Sequence, residues 1–554
     1  SGEGAIFAPG RLTGQPTVLD FGGIEDAQQL YRRDWNNFAP SVGFAWDVEG
    51  NGRSSIRGGY SISYTPEALT LYLNAVDNNR GLQVTSTNSQ VTGVVTATGA
   101  PITAPQFQVP VSQSSLFALS NLANVAAFNP GYRTPYVQQW SIGVERALFA
   151  GLVAEARYVG NHGVKLTRGI DLNEVNIFEN GFLEDFRRAA ANLTINRANG
   201  VASFANLSRP GQFPLPLLDQ IFGGTNTSSH RNSTFIGNID SNQAGLFANS
   251  IRLTPQNFPG LGALPANLFV VNPVANQALL IDNGSFSTYN ALQIELRRRF
   301  SEALFLSANY TFSKVLTDFE GSTTEISPLA TIRDTRVDKR RASYDLTHVF
   351  NLNAIYELPF GQGRRLLAHA PGVLQRIVGG WNLSTILRIS SGAPVSVVSG
   401  LGTFNQRTGS NTIYLSPDLP VDQLQSYLGV FRTPYGVLFV DPNAPFMKIS
   451  LDSSGRLLSS QVDTAKLQSP GAGQLGGLPL GAFRTPMIWN ADIAFSKRTK
   501  IRESVNLELR AELFNAFNNP SFSIPGTLST SSTQFGVITS AGSRNIQVSA
   551  RINF

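Results

Sequence analysis

The sequence contains no cysteine, which excludes disulfides, thiolate metal sites and a cysteine nucleophile together. Charge is also scarce: Asp, Glu, Lys and Arg make up 14% of the 554 residues, against roughly 25% in soluble globular domains. No run of 18 apolar residues occurs, so no transmembrane helix is expected. No tract of lysines and arginines is long enough to hold nucleic acid, and a net charge of +6 is small for this length. The opening Ser1-Gly2-Glu3-Gly4 has neither the basic start nor the apolar core of an export signal. Methionine occurs twice while phenylalanine occurs 36 times. Rich in aromatics and poor in charge, the composition suits a β protein with much surface that does not face water.

What the sequence has is alternation. In the last eleven residues Ile546, Val548, Ala550, Ile552 and Phe554 fall on one side of an extended chain. Asn545, Gln547, Ser549, Arg551 and Asn553 fall on the other, because successive side chains of a strand point to opposite faces. A tilted strand of roughly 9 to 11 residues crosses the apolar band of an outer membrane. Ile552 and the terminal Phe554 are expected to serve as the signal read by the barrel-assembly machinery.

Ten further ribbons repeat the pattern. They run over 38–48, 56–64, 136–148, 152–164, 286–300, 304–312, 346–358, 381–389, 487–495 and 505–513. Glu49-Gly50-Asn51-Gly52, Phe149-Ala150-Gly151 and Ser301-Glu302-Ala303 read as tight turns, joined by longer connectors at 359–379 and 497–503. Val373–Val378 reads as a helical turn. Residues 1–35, 65–135, 165–285, 317–345, 392–486 and 515–543 read as loops, with a short helix over Asn180–Asn192. Short turns and long loops therefore alternate, as the periplasmic turns and external loops of transmembrane barrels do. Five loops beyond about 15 residues argue against a compact soluble sandwich. The expected fold is an all-β antiparallel transmembrane barrel. Eleven strands cannot close in the even-numbered manner of bacterial barrels, so the chain is expected to be a C-terminal part of a larger one.

Several stretches resemble one family. They are Asn37–Asp47 (NFAPSVGFAWD), Ser55–Tyr64 (SIRGGYSISY), Thr134–Arg146 (TPYVQQWSIGVER), Tyr158–Leu166, Ser287–Phe300, Tyr310–Lys314 (YTFSK), Gly379–Ser384 and Arg510–Phe522 (RAELFNAFNNPSF). In content and order they are similar to the C-terminal half of TonB-dependent outer-membrane receptors of the Oar-like group. That resemblance implies a 22-stranded barrel of which residues 1–554 hold the last eleven strands. A plug domain and a carboxypeptidase-regulatory-like domain would precede them. It also implies coupling to the TonB complex through an N-terminal segment, contact with outer-membrane lipids and lipopolysaccharide, and import of a bulky nutrient such as a metal chelate or glycan fragment. A non-transporting adhesin is the competing reading.

No catalytic or phosphate-cradling motif occurs, no cofactor is expected, and His162, His230, His348 and His369 lack metal-ligand spacing. His348 reads as an interfacial aromatic and His162 as a turn residue. Arg57, Glu145, Glu155, Arg157, Glu295, Arg297, Arg388, Asp492, Glu508, Arg510, Glu512 and Arg551 are expected on the inward face, pairing across strands or meeting a plug or substrate. The most charged loop is 333–341. Its Arg333, Asp334, Arg336, Lys339 and Arg340 are candidates for an anionic ligand or lipopolysaccharide phosphates, against the plainer reading of a solvated loop.

Overall fold

The computed structural model describes residues 31–65, 124–149, 151–273, 275–301, 303–319, 329–408, 411–502 and 505–554. Of the expected loops 1–35, 65–135 and 317–345, the stretches 1–30, 66–123 and 320–328 lie outside the described residues.

Eleven strands follow one another in a single antiparallel ladder. They are β1 (Ser41–Asp47), β2 (Ser54–Tyr64), β3 (Tyr136–Ala147), β4 (Leu152–Asp171), β5 (Gln277–Ser301) and β6 (Leu304–Thr317), then β7 (His348–Glu357), β8 (Trp381–Ser390), β9 (Ile488–Lys500), β10 (Asn506–Phe514) and β11 (Asn545–Asn553). Each of the eleven ribbons read from the sequence lies on one of them. The register carries the alternation from strand to strand without a slip of face. Phe44 faces Gly58, which faces Ile142, then Tyr158, Leu292, Phe312 and His348 in turn. Leu352, Leu387 and Ala491 form another such row, as do Ala511 and Val548 at the far side. A one-residue shift would have reversed every side chain. One apolar face thus spans the whole sheet, and many of its large side chains stay exposed, Val548 at 77% and Val42 at 69%.

Glycines make room for rings on that face. A Cβ on Gly160 would lie 2.3 Å from the indole of Trp140, its register partner. The first hairpin turn depends on Gly50 and Gly52, both with positive φ. The Asp47 carboxylate accepts from their amides at 3.0 and 2.7 Å.

β4 and β5 run longer than the sequence implies, reaching Asp171 and beginning at Gln277. Their ladder continues past Gly163 through two bulges, so the backbone beyond the apolar rows finds partners within the sheet rather than in solvent. Asn124–Phe128, read as loop, pairs parallel with the start of β5 and adds Phe128 and Tyr132 to a small core with Ile281.

The other expected loops are corrected in the same direction, apart from the short helix expected over Asn180–Asn192, which is present and longer. Residues 172–276 hold helices α1 (Phe182–Ala198), α2 (Pro216–Phe222), α3 (Ser233–Asp240) and α4 (Ala244–Leu253). Eight phenylalanines, Phe182, Phe186, Phe204, Phe222, Phe235, Phe247, Phe258 and Phe269, pack in their common core. Edge-on and stacked pairs such as Phe182–Phe247 at 5.7 Å and Phe235–Phe247 at 4.4 Å add to the burial. Asp185 on α1 accepts from the Leu217 and Leu218 amides and so closes the start of α2. Arg197 and Asp240 tie α1 to α3 with two bonds of 2.6 and 2.7 Å. Segments 394–486 and 522–538 form a second module of short strands around Phe439, Phe446, Phe483 and Leu528. At the opposite end of the ladder the connections are short, and one holds α5 (Gly372–Val378).

Candidate binding surface on the inner face and the long-loop end

All twelve inward charges read from the sequence share the polar face. Glu145, Glu155 and Glu295 stand side by side on three neighbouring strands. Such a row of carboxylates repels itself, and three arginines offset it. Arg57 and Arg297 reach Glu145 at 3.3 and 2.8 Å, and Arg157 approaches Glu155 at 3.8 Å. Arg157 also donates to Gln293 at 2.8 Å. The three glutamates and three arginines line an open concavity of about 420 Å³. Farther along, Arg510 pairs with Glu512 at 2.7 Å and Arg498 approaches Glu508 at 3.9 Å. The face is polar, mixed in sign and locally balanced, suited to a solvated or polar-packed lumen.

At the long-loop end three loops that are far apart in sequence are stitched together by buried charges. Arg168, at the end of β4, sits between Asp318 and Asp338 at 3.4 and 3.5 Å. Burial pushes the Asp338 carboxyl up, against the pull of Arg168. Arg407 approaches Asp171 at 3.2 Å and Glu174 at 3.8 Å and donates to the Leu329 carbonyl. Glu174 in turn accepts from the Thr331 hydroxyl at 2.7 Å and the Ile332 amide at 2.6 Å. Asp345, wholly buried, holds Arg484 at 2.6 Å and Arg341 at 3.2 Å. The helical module meets the second module backbone to backbone. Leu246 N–H donates to Gly402 at 3.1 Å, and a Cβ on Gly245 would lie 2.3 Å from the carbonyl carbon of Asn405.

The five candidates in 333–341 lie at this end but do not converge. Arg333 is held by Glu179 through two bonds of 2.6 and 2.7 Å and stacks over Phe178 at 4.7 Å. That bonding lowers the Glu179 carboxyl and raises the guanidinium. Asp334 accepts from the Arg336 side chain, which holds its pKa at about 2. Lys339 lies over the Phe286 ring at 5.8 Å. Arg340 begins the two-residue strand that pairs with β6.

His162 lies inside β4, not in a turn, because the ladder runs on past Gly163; its ring contacts the Ser287 carbonyl at 3.2 Å. His348 begins β7 on the apolar face, bonded to the Tyr310 hydroxyl at 2.7 Å and packed against Phe312. His230 is fully buried in the helical module beside Asp219 at 3.1 Å. Burial lowers its pKa to about 4 and raises that of Asp219 to about 6. Among the described residues no three His, Asp or Glu groups are arranged to hold a metal ion. Ile552 faces Leu507 on the apolar face, and Phe554 is 97% exposed.

A family model described as an outer membrane beta barrel domain matches residues 2–547. No curated protein matches the chain. Among solved structures, the chain is similar to the outer membrane transporter YddB from Escherichia coli, at 8% identity and a TM-score of 0.40 over 92% of this chain and 40% of that one. It is also similar to the ferripyoverdine receptor of the outer membrane of Pseudomonas aeruginosa, at 9% identity and a TM-score of 0.32 over 94% of this chain and 33% of that one. A ferric enterobactin receptor mutant of Pseudomonas aeruginosa aligns at 8% identity and a TM-score of 0.35, over 93% of this chain and 40% of the receptor. The chain thus spans well under half the length of these proteins.

Proposed function

The chain belongs to the outer membrane beta barrel domain family, and from that premise we propose that it is the ligand-gathering C-terminal portion of a TonB-dependent importer. Its location is the bacterial outer membrane, and family membership points to a non-enzymatic membrane protein. The observation that carries the proposal is the pairing of a continuous apolar face with a charged inner face, roofed at the long-loop end by two folded modules. An apolar band on the outside of a closed ladder is what lipid requires, since open sheet edges do not occur in hydrocarbon. Neither edge of this ladder, β1 or β11, pairs with the other among the described residues. In the reading proposed, further strands and a plug complete the cylinder, and the balanced charges around Glu145 contact that plug.

The cargo class is a bulky, scarce nutrient, a metal chelate or glycan fragment, gathered by the modules at the long-loop end. The 333–341 segment is the anionic-ligand or lipopolysaccharide candidate within it. Coupling runs to the TonB complex, and Ile552 with Phe554 engages the barrel-assembly machinery. The resemblance of the strand motifs supports this assignment.

The test is growth on a panel of ferric chelates and oligosaccharides as sole source, comparing wild type, a strain lacking this gene and a strain lacking TonB. The expected result is at least one compound whose uptake is lost in both deletions. Uptake of every compound unchanged by loss of the gene, together with loss of surface adhesion, would favour the adhesin reading.

A further inference from the structure

The short-turn end carries an apolar feature that the transport reading does not use. Between β7 and β8 the chain leaves the sheet, and α5 forms on its way back. Val373, Leu374 and Ile377 fall on one arc of this helix, at helical spacing, and all three are exposed, Val373 at 76% and Ile377 at 60%. Gln375, on the opposite side, is occupied: its amide donates to the Leu367 and Ala368 carbonyls at 2.9 and 3.0 Å.

The helix is attached to the apolar face of the sheet. Trp381 lies on that face, in register with Lys497. Its indole N–H donates to the Ile377 carbonyl at 2.9 Å. Lys497, only 6% exposed, lies over the Trp381 ring at 5.4 Å and donates to the Gly379 carbonyl, so its charge is met where the face ends. The exposed arc therefore continues the lipid-facing surface around the rim. Arg376, on the helix itself, stands exposed at the flank of this arc, as the cationic flank of a helix lying in a membrane interface does.

We propose that α5 is an interfacial helix that rests in the inner leaflet of the outer membrane, with Val373, Leu374 and Ile377 in the acyl region and Arg376 on anionic phospholipid headgroups. This rests on reading the short-turn end as periplasmic.

Because these 554 residues contain no cysteine, single nitroxide labels placed in them report unique sites once any cysteine elsewhere in the full-length protein is replaced by serine. V373C and I377C would be labelled in the full-length protein reconstituted in bilayers containing phosphatidylglycerol. L387C, in the middle of the apolar face, and S454C, exposed in the second module, serve as references. The expected result is high oxygen and low nickel-complex accessibility at 373 and 377, matching 387 and opposite to 454. Replacing phosphatidylglycerol by phosphatidylcholine should shift 373 and 377 toward water and leave 387 unchanged; no shift would overturn the headgroup contact. W381F should raise nickel accessibility at 377 by unfastening the helix. High nickel accessibility at 373 and 377 beside a lipid-exposed 387 overturns the inference while leaving the barrel standing. Low accessibility to both agents means protein covers the helix and overturns it equally. A water-exposed 387 would instead defeat the barrel reading itself.

Discussion

At single residues, the structure keeps charges out of water only where each is answered. Arg168 answers two carboxylates, Asp318 and Asp338, and all three side chains are buried. Removing the cation leaves two carboxylates facing each other, and breaking a buried pair from one side costs about 3–5 kcal/mol. R168A is expected to lower stability by that amount in denaturant unfolding, and D318N with D338N added should recover most of it. His230 and Asp219 pose a subtler case. His230 titrates near 4 in the fold against an ordinary 6.5, so the folded state binds fewer protons in that window and loses stability as pH falls through it. Asp219 titrates near 6 against 3.8, so the folded state binds more protons between those values and gains stability as pH falls. The two trends oppose each other. D219N removes the second and leaves the first, so the variant's helical module should lose up to about 3 kcal/mol between pH 6.5 and 4. Hydrogen exchange of α1–α4 against pH measures it, and a variant as flat as the wild type would contradict the assignment.

At the scale of elements, alternation made the ladder legible and its absence hid the rest. Val42, Phe44 and Trp46 on β1, or Ile546 to Ile552 on β11, declare both the strand and its two faces, because a period of two admits one arrangement against lipid. The modules were not legible in that way. Phe182, Phe186, Ala189 and Leu193 do keep helical spacing on α1, and the sequence reads a short helix there, over Asn180–Asn192. The remaining phenylalanines of the core are separated by Gly, Pro and Asn, and they meet only through tertiary packing. The charged segment 333–341 invited a ligand role from its composition, yet the partner of Arg333 is Glu179, more than 150 positions earlier. No local pattern announces such a pairing. The modules depend on close approach as much as on charge: Gly245 on α4 sits where any side chain would meet the backbone of Asn405. G245V is expected to cost about 1–3 kcal/mol by overpacking. It should raise protease sensitivity around 402–407 while leaving the ladder's heat-modifiable folded band intact on gels.

For the whole molecule, the two faces of one sheet have different solvents, and that difference sets what substitution each tolerates. Leu387 lies mid-strand between Leu352 and Ala491 on the apolar face. Asn351, in the neighbouring strand, lies on the opposite face and donates to Asn309 at 3.0 Å. An arginine placed toward the bilayer midplane costs about 2–4 kcal/mol, whereas the same residue facing a polar lumen keeps its hydration. L387R should therefore lose stability of that size in urea titrations of protein folded into phospholipid vesicles, and N351R should change little. In detergent micelles, whose interfaces admit water more readily, the penalty for L387R should shrink. Equal costs at the two positions would mean that the apolar rows are covered by protein, in which case the exposed side chains from Val42 to Val548 would need a second layer rather than a membrane to receive them.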